Sequence, residues 1–247
     1  MNSRLTLKLI AWGIALTLVL LPVVGVLNGW FAAERWPVRQ LRVDAEFNHV
    51  SAEQIRGAAA SHLGTGFFAL DLDRVRASVA ALPWVEKVEV RKQWPDVLEL
   101  RVLEHQPFAR WGTDRLIGHN GMLFSAPGAE SIQGVPHLAG PDDRLNEVID
   151  FYTRSQKLFA ETGLRVVGVA LSERGSWTIN LGSGAEVAIG REQATSRLQR
   201  FIAVLPRLTA TRSDGFERAD LRYANGFAIR WQNGAPVAPT SGKEKRT

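Results

Sequence analysis

Five histidines are the first residues to weigh for chemistry: His49, His62, His105, His119 and His137. None has a second histidine three or four positions away, the spacing that sets two imidazoles on one helical face around a metal. Cysteine is absent, which removes thiolate nucleophiles, Cys-based zinc sites and disulfide frameworks together. "LGTGFF" and "LGSGAE" contain G-x-G, but neither completes the longer glycine patterns whose backbone N–H groups cradle phosphate. "GSG" also lacks the flanks of a serine nucleophile elbow. Carboxylates are plentiful, so a membrane-anchored peptidoglycan hydrolase working with a carboxylate pair stays open on spacing alone. The expectation is a protein with no catalytic residue, no metal and no cofactor.

What is left is recognition. Eight tryptophans is a high count for 247 residues. Trp84, Trp111 and Trp177 read as core and rim. Trp231 ends the last strand suggested by the sequence, and Pro236 and Pro239 beyond it cannot extend a ladder. A final strand followed by such a tail is a sheet edge, which offers unpaired N–H and C=O groups to a strand from another chain. The formal net charge of +5 carries no nucleic-acid signature: arginine is scattered, and the compact basic group Lys243, Lys245 and Arg246 falls in the tail.

The elements that would hold such an edge begin with an apolar run. From Leu9 to Ala33 there are twenty-five residues without a charge. As a helix they span ~37 Å at ~1.5 Å per residue, against a bilayer core of ~30 Å. Trp12 and Trp30 stand near the two ends, and Pro22 is tolerable in a membrane helix. A cleaved signal peptide is the main rival, but Phe31 is a poor residue three positions before a cut at Ala33. The reading is an uncleaved span over 9–33 with a short tail, 1–8, inside. The balance of Arg4 and Lys8 against Arg35, Arg39 and Arg42 is nearly even, and the charges nearest the run favour the N-terminus inside.

A first module follows over 37–106. "VRQLRVDA" alternates as a strand. Ser51 with Gln54 is a capping box opening a helix, and Asp71 caps a second that Pro83 stops. Two alternating runs then flank the turn "QWPD", with Val88, Val90, Leu98, Leu100 and Val102 inward and Glu89, Arg91, Glu99 and Arg101 outward. The order is strand, helix, helix, strand, strand. A second module over 107–232 has a hairpin signal at Asn120-Gly121 and helices over 144–163 and 192–208. Its strands lie around "LRVVGVALS", "SWTINLG" and "AEVAIG", and a last hairpin turns at Asn225-Gly226. Residues 233–247 read as disordered.

The stretch "LPWVEKVEVRKQWPDVLELRVLEHQPFARW", residues 82–111, placed after a single span and a β-α-α-β-β order, resembles the FtsQ/DivIB family of bacterial division proteins. The resemblance implies an α+β chain: a transmembrane helix, a POTRA-like domain, and a mixed α/β "β domain" ending in an edge hairpin. It implies a non-enzymatic scaffold in the inner membrane with its N-terminus cytoplasmic and its bulk periplasmic. Concentrated at the septum, the scaffold would link early and late division proteins by binding FtsB with FtsL. The terminal hairpin would receive FtsB, with Tyr223, Asn225, Gly226, Phe227 and Trp231 at the matching positions and Arg174 meeting an acidic part of the partner. The family's turn has serine where this chain has Asn225, which changes the side-chain hydrogen bond available there. Val90 and Lys92 match positions linked to recruitment, and the charged face of the ribbon is read as a docking surface. The rival within binding proteins is a POTRA-type docking protein of another envelope assembly system.

Overall fold

The computed structural model describes residues 3–27, 36–210, 215–223 and 226–232, and the side chains of the first helix over 10–25. That helix, α1, runs Ser3–Leu27 with Pro22 inside it, so it begins within the stretch expected as a tail. Ile10, Trp12, Ile14, Leu18 and Val23 are among its exposed side chains. The end of the expected span, 28–33, and the expected disordered tail, 233–247, lie outside the described residues. Among the described residues no helix is long and apolar enough to cross a membrane.

The chain divides into two compact units, Met1–His105 and Gln106–Thr247. After α1, the first unit contains β1 (Gln40–Asp44), α2 (Ala52–Ala60), α3 (Leu72–Ala80), β2 (Val85–Gln93) and β3 (Val97–Glu104). Ser51 closes a reciprocal capping box with Gln54, its Oγ accepting from Gln54 N–H at 3.2 Å and Gln54 Oε1 accepting from Ser51 N–H at 2.8 Å. Asp71 accepts from the N–H groups of Asp73 and Arg74 at the start of α3. The sheet order is β1-β3-β2, with β1 parallel and β2 antiparallel to β3. Ile55 and Ala59 of α2 and Val75 and Val79 of α3 are buried, as are Val88, Leu98, Leu100 and Val102 of the sheet.

The alternation that buries these residues also places the two positions matched to recruitment. Val90 is 6% exposed and shares the inward face with Val88. Lys92, two residues on, has the same parity: its ammonium donates to the Phe68 carbonyl oxygen at 3.2 Å and lies 5.8 Å from the centroid of buried Phe67. Because side chains alternate with period two, neither side chain belongs to the charged face carried by Glu89, Arg91, Glu99 and Arg101. Glu104 follows the same rule at the end of β3. It is buried, and its carboxylate accepts backbone N–H groups of Asn48, His49 and Val50 at 3.2, 2.8 and 3.4 Å. It thereby holds the segment that leads into α2.

The second unit is a mixed sheet with two helices. Its strands are β4 (Pro107–Trp111), β5 (Arg115–Gly118), β6 (Leu123–Ser125), β7 (His137–Ala139), β8 (Val166–Leu171), β9 (Trp177–Leu181), β10 (Glu186–Gly190), β11 (Phe216–Asp220) and β12 (Ala228–Trp231). Helix α4 (Leu145–Ala160) joins the parallel neighbours β7 and β8, and α5 (Ala194–Ala210) joins the parallel neighbours β10 and β11. Parallel pairing requires such crossovers, since a tight turn cannot reverse the chain twice. The strand order is β12-β11-β10-β9-β8-β7-β4-β5-β6. The helices meet each other and pack on β7, β8 and β10. Phe159 and Phe201 are fully buried from the helix side, facing a core that includes Trp111, Leu138, Ile179 and Ile189. Phe151 is also in this core and stacks on Trp177 with ring centroids 4.2 Å apart.

Candidate functional site

The edge expected at the end of the second unit is present. β12 pairs antiparallel with β11 and, among the described residues, with no other strand. Its outer side therefore faces away from the sheet with half of its backbone N–H and C=O groups.

The hairpin that carries it is not tight. β11 ends at Asp220 and β12 starts at Ala228, leaving residues 221–227 between them. Two interactions draw the chain off the ladder. Leu221 is buried and its N–H donates to Ala188 O at 2.7 Å, so it turns toward β10 rather than β12. Arg222 folds back on Asp220, with guanidinium-to-carboxylate distances of 2.9, 3.1 and 2.6 Å. That guanidinium, its largest partner, holds the Asp220 carboxyl below the usual aspartate range. Tyr223 is left outward, 57% exposed, and Gly226 is exposed. Asn225 lies outside the described residues. Phe227 is half-buried, its ring edge-on to Phe201 at 5.4 Å. Between α5 and this segment runs a groove of about 390 Å³, lined by Arg200, Ala203, Val204, Leu221 and Phe227 among others.

Trp231, one of the positions matched to partner binding, is 8% exposed and belongs to the core of its own unit. The inward parity of β12 puts it there, opposite Phe216. What Trp231 presents at the edge is backbone.

Arg174 sits on the turn between β8 and β9, which Ser172 ties through its backbone and its Oγ. The structure brings it to a cleft of about 480 Å³ with Arg191, Arg197 and Arg222, against one acid, Glu192. Arg197 is steadied by donating to Ile189 O at 3.0 Å. Gly190 makes room for the cluster: it has φ +88°, and a Cβ there would meet Arg197 Nη1 at 3.0 Å and Arg222 Cγ at 3.2 Å. Arg222 is already paired with Asp220, so Arg174, Arg191 and Arg197 are the guanidiniums that favour an incoming carboxylate, which such groups bind with paired N–H donors. Sequence reasoning found Arg174 and missed the other three. Arg222 was within reach, since it adjoins Tyr223. Arg191 and Arg197 were not, because they come from the end of β10 and the start of α5. Among the described residues no three His, Cys, Asp or Glu side chains gather closely enough to hold a metal ion.

Comparison with known proteins decides the family. Residues 109–222 match the family described as "Cell division protein FtsQ/DivIB, C-terminal", and residues 36–105 match "POTRA domain, FtsQ-type". A protein of Xanthomonas campestris pv. campestris named "Cell division protein FtsQ" is 49% identical over 231 residues, covering 93% of this chain and 83% of the relative. The chain belongs to the FtsQ/DivIB family of cell division proteins. Proteins of the same name from Coxiella burnetii and Burkholderia pseudomallei are 31% and 35% identical, covering 94% and 87% of this chain and 97% and 89% of those relatives. The β-α-α-β-β unit is thus an FtsQ-type POTRA domain, and β5 to β11 with the arginine cleft fall within the residues matched to the FtsQ/DivIB C-terminal family, whereas β12 lies beyond that match.

Proposed function

We propose that this chain is a membrane-anchored, non-catalytic scaffold of the division machinery that captures FtsB, paired with FtsL, by adding a strand of FtsB to β12. Residues 9–33 hold it in the inner membrane, with the N-terminus cytoplasmic and both units periplasmic, concentrated at the septum. The uncharged run and the exposed apolar side chains of α1 support the anchor. The observation that carries the binding role is the open side of β12. Tyr223, Asn225, Gly226 and Phe227 flank the incoming strand, and Arg174 with its cleft takes an acidic segment of the partner. Other division proteins meet the POTRA domain on its charged face, and Lys92 supports that surface from behind by fixing the Phe67–Phe68 turn.

Proline substitution along β12 tests the edge. Successive N–H groups of a strand point alternately to its two neighbours. Of Ile229→Pro and Arg230→Pro, one removes an outward donor while leaving the β11 ladder intact. The full chain in detergent is titrated with the periplasmic segment of FtsB. The outward variant is expected to keep its melting midpoint and to lose about tenfold in affinity, equivalent to about 1.4 kcal/mol. Parental binding by both variants, each folded, sinks the strand-addition role.

A further inference from the structure

One end of the POTRA domain gathers aromatic rings in solvent. Backbone bonds tie three chain segments together there. Arg39 and Gln40 N–H groups both donate to Asp96 O, at 3.0 and 3.3 Å, and Phe67 N–H donates to Trp36 O at 2.8 Å. The Lys92 ammonium links β2 to Phe68 O. The rings of Trp36 and Phe68 meet edge to face with centroids 5.7 Å apart. Trp36 is 38%, Phe68 46% and, in the β2–β3 turn, Trp94 71% exposed. Large aromatic side chains grouped in this way form an apolar patch rather than scattered surface residues.

The charges around the patch are unbalanced. Asp71 and Asp73 at the start of α3 are matched by Arg74 and Arg76. Arg39, Arg42 and Lys92 enter no ion pair among the described residues; Arg42 reaches Gln93 and Lys92 a carbonyl oxygen. Asp96 in the turn and Glu99, the register partner of Arg42 on β3, are the nearby carboxylates against these three cations. The chain also fixes where this end can be. Trp36 follows the last helical residue of α1, Leu27, after residues 28–35. Even fully extended, that connection spans only about 30 Å at ~3.3–3.6 Å per residue.

We propose that this end of the POTRA domain, with Trp36, Phe68 and Trp94 ringed by Arg39, Arg42 and Lys92, seats in the headgroup layer of the bilayer that holds α1; the inference rests on the membrane-anchor reading above. Indole and phenyl rings prefer the membrane interface, and unpaired cations draw anionic headgroups. The domain is then held at two points, the helix and the aromatic end, and keeps a fixed bearing above the membrane instead of swinging on a tether.

The absence of cysteine makes a direct test possible in the full chain. Nitroxide labels are placed singly at Gln93→Cys beside the patch, at Glu53→Cys and at Leu18→Cys in α1. Glu53 is exposed on the first turn of α2, next to the segment that Glu104 holds at the opposite end of β3. The proteins are inserted in nanodiscs of phosphatidylethanolamine and phosphatidylglycerol, and collision with oxygen and with a water-soluble nickel chelate is measured. The Leu18 label is expected to favour oxygen, the Glu53 label nickel, and the Gln93 label to lie between them. Adding Trp94→Ala or Phe68→Ser to the Gln93→Cys chain is expected to return its label to the Glu53 values, with melting midpoints retained because both side chains are exposed. A Gln93 label as aqueous as that at Glu53, with Leu18 in lipid, overturns this inference alone. An aqueous Leu18 label overturns the anchor reading and this inference with it. Shielding at Gln93 that persists in detergent without a bilayer, or that survives both aromatic substitutions, assigns the patch to a protein contact and also overturns it.

Discussion

Glu104→Gln should unfold the POTRA domain at a distinctly lower temperature. The carboxylate is 3% exposed, and its two oxygens divide the work. Oε1 accepts from Asn48 and Val50, and Oε2 accepts from His49 N–H at 2.8 Å with the His49 imidazole 3.3 Å away. That imidazole is in turn stacked on Trp84, centroids 3.8 Å apart. Glutamine has one acceptor oxygen, so whichever way its amide turns, an NH₂ group faces a backbone N–H. Hydrogen bonds to a charged acceptor contribute ~1.5–3 kcal/mol, and a buried donor left without a partner costs ~1–3 kcal/mol. Asn48 and His49 are exposed enough for water to replace part of the loss, whereas Val50 is buried. The net cost is therefore about 2 kcal/mol, a figure within those single-bond ranges. For a domain of this size each kcal/mol moves the midpoint by ~4–8 °C, which makes the expected drop about 8–16 °C. Differential scanning calorimetry of the full chain would read it, with hydrogen exchange at residues 48–50 rising in step. Glu104→Ala should cost at least as much. An unchanged midpoint, or exchange that rises elsewhere but not at 48–50, would refute the clamp.

Three further outcomes follow from the second unit. The Arg115 guanidinium, first, and the Trp111 indole hold the Asp142 carboxyl at about 2, below its ordinary 3.8. A lowered carboxyl stabilises the fold above its unfolded pKa and loses that contribution as pH falls through the folded one. Thermal melts should therefore place Asp142→Asn below the parent at neutral pH, with the gap closing between pH 3.8 and about 2. Gly190→Ala should destabilise by ~1–2 kcal/mol, the cost of a left-handed residue with a Cβ, and should weaken FtsB capture because Arg197 and Arg222 must shift; denaturant titration and binding measure the two effects. Phe201→Ala should cost ~3–5 kcal/mol as a core aromatic truncation. It should also loosen Phe227 and Phe216, which rest on it at 5.4 and 5.9 Å, as hydrogen exchange along β12 would show.

The local features of the POTRA domain were legible because each is written in neighbouring residues. Ser51 with Gln54, Asp71 before Leu72, and Val88 alternating with Glu89 need no information from elsewhere in the chain. The same alternation, carried two residues further along each strand, places Lys92 and Glu104 inward as well. The arginine cleft was illegible for a different reason. Arg174, Arg191, Arg197 and Arg222 come from three separate stretches, the β8–β9 turn, the passage from β10 into α5 and the β11–β12 link, and the strand order that brings β8 to β11 together is not a local property. The long link 221–227 was hidden likewise, since Asn-Gly signals a tight turn and the pull of Ala188 O on Leu221 is a long-range effect.

The shortness of β12 limits what a strand margin can accomplish by itself. Its four residues leave about four groups for an incoming chain. At ~0.5–1.5 kcal/mol each they contribute ~2–6 kcal/mol, short of the ~8 kcal/mol of a micromolar complex. Peptide bonds are alike in every protein, so this fraction of the affinity is indifferent to sequence and equally open to a stray strand or a sister molecule. On the strand-addition proposal, discrimination falls to the arginines at one flank and the groove beneath Phe227 at the other, and the zipper would hold only what those two had already admitted.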